Sequence, residues 1–169
     1  MSAVPCGVKP EPPYTVGWRC TAHSHEPPRP TLVTKDSCRN FAAGRLEKAQ
    51  LSPVERCLKY PPLPGLDKPH KVDLEIIEVE KDIFKVSEKE EEQSLIYDPL
   101  YVDDDEDFLN PFACMDRHYT HESAAYITLA DLMGEMIPKP YGSFSVSVPV
   151  DEARTRTVRT MTNYPVRFF

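Results

Sequence analysis

The chain has 169 residues, room for one domain of ordinary size, with 40% hydrophobic residues, eighteen prolines and only six glycines. Proline at that density removes backbone donors and interrupts helices and ladders, which argues against a single core built from the whole chain. The net charge is −7. No apolar run is long enough for a transmembrane helix, and Met1 to Pro13 lacks a signal peptide's apolar stretch, so a soluble intracellular chain is expected.

Residues 1–39 form the first segment, an extended or disordered proline-rich arm with few aliphatics and no core of its own. Within it Tyr14, Val16 and Trp18 alternate between prolines. A lone Trp there is a candidate anchor, because a large ring brings much buried area for few frozen torsions. Residues 40–71 form a short helical segment. Asn40 to Gln50 reads as a helix interrupted by Gly44. Ser52-Pro53-Val54-Glu55 is a helix start, with Ser52 able to cap, Pro53 where its missing N–H costs nothing, and Glu55 able to bond back. Tyr60-Pro61-Pro62 ends that helix.

Residues 72–107 read as a strand followed by an acidic linker. Val72, Leu74 and Ile76 alternate with acids, and the phase slips at Ile77. Charge is segregated around this block: residues 1–72 carry a net +5, residues 73–107 carry −12, residues 108–150 carry −2 and residues 151–169 carry +2. Glu88–Glu92 and Asp103–Asp107 read as a solvated run of like charge. Such a chain is a poor partner for nucleic acid or an acidic membrane, both of which require neutralisation of negative charge.

Residues 108–169 are the best candidate for a folded part, a helix with β-strands. The helix is expected over Glu122 to Met136, burying Ile127, Leu129, Leu132, Met133 and Met136, with Pro138 as its stop. Phe144, Val146, Val148 and Val150 alternate with serines at a period of two, and Arg154 to Thr162 is also strand-prone. The expected fold is therefore mostly irregular and extended, with short helices and a few short strands, and a small α+β portion in the C-terminal half at best.

The motifs with chemical content are incomplete. Asp103, Asp105 and Asp107 match the opening of a calcium loop, but Phe108 and Cys114 stand where Gly and a bidentate Glu are required. Cys114, His118 and His121 fall at helical spacing, and Cys20, His23 and His25 cluster loosely, yet neither group has a second pair to complete a zinc site. The five cysteines, Cys6, Cys20, Cys38, Cys57 and Cys114, read as reduced thiols rather than a disulfide framework. No nucleophile elbow, zincin or phosphate-cradling glycine pattern occurs. No metal, cofactor or small-molecule substrate is expected, and the chain reads as non-enzymatic.

Two further features concern binding. Leu74, Glu75, Ile76 and Ile77, a short aliphatic run among acids, resemble a SUMO-interacting motif able to add as a strand to a sheet edge. Ser52-Pro53 is a proline-directed phosphorylation context, and Tyr97 and Tyr101 are candidate modification sites in the acidic centre. Aromatics are spread singly between prolines, and turns such as Pro140-Tyr141-Gly142-Ser143 and Asn163-Tyr164-Pro165 recur. In that composition the chain resembles the small ciliary and sperm-tail proteins that line doublet microtubules from inside.

The resemblance implies a structural protein that binds in extended form along a larger assembly. Its partners would be tubulin or axonemal proteins, in the cytoskeleton of a cilium or flagellum. Candidate contact residues are Tyr14, Trp18, Leu74, Ile76, Tyr141, Tyr164, Phe168 and Phe169. The alternatives are a cytosolic or nuclear adaptor with an acidic docking segment, and a small α+β domain that binds through a folded surface.

Overall fold

Side-chain alternation in the strands determines the architecture. In the computed structural model, described for residues 8–39, 41–80, 83–86, 93–103, 109–137 and 139–164, six antiparallel strands form a closed barrel. They are β1 (Arg19–Glu26), β2 (Leu66–Glu80), β3 (Ile83–Val86), β4 (Gln93–Tyr97), β5 (Lys139–Pro149) and β6 (Thr155–Tyr164). Around the barrel they run β1-β2-β3-β4-β6-β5, and β5 closes onto β1 through Ala22↔Val146 and its neighbours. The serine-interrupted run lies in β5, paired with β6 over nearly its whole length, Val146 opposite Val158.

Inward positions hold Ala22, Leu74, Ile76, Phe144, Val146, Val148 and Val158, with Cys20, Val72 and Ile96 packed against them. Each such aliphatic removed from water contributes roughly 1.5–3 kcal/mol. Small and hydroxyl side chains fill the rest of the interior. Ala22 is fully buried, and the Ser94 and Thr162 hydroxyls meet at 2.6 Å across the β4–β6 pair. Among the described residues, the gap between Tyr14, Trp18, Ile76 and Val158 has about 20 Å³, room for one water-sized body, so side chains fill this part of the barrel.

The expectation of a mostly irregular, extended chain is therefore corrected: the protein has a defined α+β fold in which the antiparallel sheet dominates. Residues 1–39 contain β1, which hydrogen-bonds β2 on one side and β5 on the other. The prolines do not prevent this, because Pro13 and Pro27 flank the strand and none falls inside it.

Among the described residues, three α-helices pack outside. α1 (Phe41–Gln50) and α2 (Pro53–Lys59) form a hairpin gathered on Glu47, which accepts from Arg56, Lys59 and the Tyr60 hydroxyl. The α2 start is the expected capping box, with Glu55 N–H donating to Ser52 Oγ and Ser52 N–H donating to the Glu55 carboxylate. α3 (Pro111–Thr128) begins eleven residues before the expected helix. Its start signal is Asn110, whose side-chain oxygen accepts from Phe112 and Ala113 N–H, followed by Pro111 at the first helical position. Its buried face is Cys114, Tyr119, Thr120 and Ser123 rather than aliphatic. Ile127, Leu129, Leu132 and Met136, expected in the core, are exposed instead.

Candidate functional site

Three places on this scaffold concentrate chemistry: one end of the barrel, the layer under α3, and the segment beyond α3. At the barrel end, Arg156 donates from both terminal nitrogens to Asp98, each bond 2.6 Å, and the Tyr14 hydroxyl donates to the same carboxylate at 2.5 Å. Leu100 N–H supplies a fourth bond at 3.0 Å. Burial, reinforced by Asp98, pushes the Tyr14 hydroxyl far above its ordinary range, so it stays a donor. Tyr101 lies edge-on to Tyr14 and beneath the Arg156 guanidinium. Every polar group named here is spent on another, as a buried charge requires. This assembly plugs the barrel.

Under α3, the outward face of β5 and β6 carries Ser143, Ser145, Arg159 and Met161. Arg159 donates to Ser145 Oγ at 2.6 Å and to the Leu63 carbonyl, and Tyr119 and Ser143 share a hydroxyl bond of 2.6 Å. His25 Nδ1 meets Asp67 at 2.8 Å. Desolvation, then the nearby Arg159, hold His25 below its ordinary pKa despite Asp67, so the ring is neutral near pH 7. Burial raises Asp116 above the usual carboxylate range, although Leu63 N–H donates to it.

A His–Asp pair beside two serines has the ingredients of acid–base chemistry, but not the access. The His25 side chain is 1% exposed. A Cβ built on Gly65 would lie 2.5 Å from its Nε2, so the chain itself fills the space a reacting atom would need. Neither serine is aimed at the ring, since each is committed to a partner of its own. The group is a pin that fastens the 60–67 segment to the barrel.

The expected contact residues divide accordingly. Tyr14, Trp18, Leu74 and Ile76 are brought together around the small interior gap, with Trp18 edge-on to Tyr14 at 5.5 Å. Their area is spent on the chain's own core. Tyr141 is exposed on β5. Tyr164 ends β6 opposite Lys139, its side chain outside the described residues, and Phe168 and Phe169 also lie outside them. Leu74 and Ile76 belong to a strand already paired with β1 and β3, which removes the free strand that SUMO-type addition uses.

The loose metal clusters are also dispersed. On β1, Cys20 points into the barrel, while the ring of His25 lies on the outer side against Tyr119. Cys114 faces Cys38, and His121 Nε2 meets the Thr31 carbonyl at 2.7 Å. No grouping of three His, Cys, Asp or Glu able to hold a metal occurs among the described residues, and no helix there is long and apolar enough to cross a membrane.

The third place was read in the sequence as core. Beyond α3, a short 3-10 turn over Ala130–Leu132 leads into a tight lobe. Its backbone bonds run from Gly134 N–H to the Ile137 carbonyl at 2.8 Å and from Met136 N–H to the Leu132 carbonyl at 3.1 Å. Gly134 has φ +84°, a conformation that a side chain would strain. Ile127 is 77% and Met136 71% exposed, with Leu129 and Leu132 about 40% exposed between them. Asp131 and Glu135 are the charges of the lobe, and no Lys or Arg occurs from His118 to Ile137. Four exposed apolar side chains thus lie within ten residues whose charges are acidic. Searches against family models, curated proteins and solved structures found no match.

Proposed function

We propose that this chain is a non-catalytic protein-binding module that presents the Ile127–Ile137 lobe to a partner with apolar and basic residues. One observation carries the reading: four apolar side chains within ten residues stand in solvent on a hydrogen-bonded lobe, while the aliphatics of the barrel core, Leu74, Ile76, Val146, Val148 and Val158, are buried. Exposed apolar groups gathered in one short segment are what a protein interface uses, and the acids Asp131 and Glu135 select the sign of the partner's charge. Tyr141 is also exposed, two residues into the strand that leaves the lobe.

The proposal keeps the structural, non-enzymatic role and the axonemal setting as its working context, but puts a folded face in place of an extended lie along the assembly. The test is retention of proteins from ciliated and non-ciliated cell extracts on immobilised wild-type chain and on Leu132→Asp/Met136→Asp. Tubulin or axonemal proteins held by the wild type and lost from the variant are the expected result. Identical retention by both would overturn the lobe as the binding surface. Selective retention from the non-ciliated extract, lost in the variant, would keep the module and overturn the axonemal setting.

A further inference from the structure

Cys38 and Cys114 are 76 positions apart in sequence, yet the fold holds them side by side. Asn110 N–H donates to the Cys38 carbonyl at 2.8 Å, and Arg39 and Leu109 form an antiparallel bridge. Cys114 N–H then donates to the Asn110 carbonyl, so Cys114 stands one helical turn beyond the residue that grips Cys38. Both side chains are buried, and the Cys38 thiol is near enough to add to burial in raising the Cys114 thiol. Cys20 and Cys57 sit elsewhere, one in the barrel interior and the other on α2.

We propose that Cys38 and Cys114 are an oxidation site, forming a disulfide that latches the 27–39 connector onto α3 by exchange with a small-molecule disulfide such as oxidised glutathione. One protein thiolate attacks the glutathione disulfide, its S–S bond breaks, and one glutathione thiol leaves with a proton. The second protein thiolate attacks the resulting mixed disulfide, releasing the second glutathione thiol and closing the Cys38–Cys114 bond. Two protons and two electrons thereby pass from the protein thiols to glutathione, and the atoms balance.

The same burial that aligns the thiols makes the latch slow. It holds the Cys114 thiol up at about 11, so little thiolate is present at neutral pH, and the reagent reaches it only when the connector lifts from α3. Once closed, the bond returns to that buried position, where a reducing thiol has equally poor access. The proposal is independent of the lobe.

The test incubates the folded full-length chain with oxidised glutathione, blocks free thiols, and maps the disulfides by mass spectrometry. The expected product is a single Cys38–Cys114 linkage, two mass units below the reduced chain, with a thermal midpoint raised by about 5–10 °C. Cys38→Ala and Cys114→Ala should each abolish the linkage and the shift, whereas Cys20→Ser should change neither. Glutathione adducts spread over several cysteines, or scrambled linkages, would overturn the proposal. So would no Cys38–Cys114 product in the folded wild type, an outcome that does not depend on whether any variant folds.

Discussion

Replacing Asp98 with Ala tests the barrel plug at its most connected residue. The substitution leaves the Arg156 guanidinium, whose side chain is 5% exposed, without its two 2.6 Å acceptors, and it removes the carboxylate to which the Tyr14 hydroxyl donates. Breaking a buried ion pair from one side costs about 3–5 kcal/mol, because the remaining charge is stranded. For 169 residues the unfolding entropy is about 0.35 kcal/mol/K, so the thermal midpoint should fall by about 8–14 °C. The assay is reversible thermal or urea unfolding followed by circular dichroism. Arg156→Met on the same background removes the stranded charge and fills its space with an apolar chain. The double variant should therefore be more stable than Asp98→Ala alone, with a coupling of about 1–3 kcal/mol. A loss below about 1 kcal/mol for Asp98→Ala, together with additive double-variant behaviour, would refute a buried, mutually dependent plug.

Three more outcomes are expected. Gly65→Ala should destabilise by about 1–3 kcal/mol in urea unfolding, because its Cβ would fall 2.2 Å from the Glu26 carbonyl oxygen and 2.5 Å from His25 Nε2. Wild-type stability should fall as pH drops from about 7 to 5, because the His25 pKa is lowered by folding and the unfolded chain takes up the proton first; His25→Phe should flatten that part of the pH profile. Ile76→Ala should cost about 2–5 kcal/mol while Leu132→Asp stays within about 0.5 kcal/mol, a contrast read from paired denaturant curves.

What could be read in the sequence was what local pattern encodes. The Phe144–Val148 alternation, the Val72–Ile76 alternation and the Ser52–Glu55 capping box each carry their whole signal within a few residues, and each appears as an element of the expected type. β1 was hidden because its inward positions are Cys20, Ala22 and Ser24, small side chains that suit a narrow barrel but give no aliphatic alternation. The α3 start was missed for the opposite reason. Its buried side is aromatic and polar, so the aliphatic spacing at Ile127–Met136 drew the helix towards residues that are in fact exposed. Asp98–Arg156 and Cys38–Cys114 join residues 58 and 76 positions apart, and nothing in either neighbourhood announces the partner. The candidate binding lobe was thus visible as a hydrophobic segment, while its exposure depended on the register of the helix before it.

Amide hydrogen exchange on the full chain, alone and bound to the proteins it retains from extract, tests most directly whether a folded barrel binds through its lobe. In the free chain, slow exchange is expected across β1, β5 and β6, with the Ala22, Val146 and Val158 amides among the best protected. On binding, new protection should be confined to residues 127–141. Coil-like exchange of Arg19–Glu26 in the free chain, or protection gained along the whole chain rather than at the lobe, would contradict this and return the protein to an extended mode of binding.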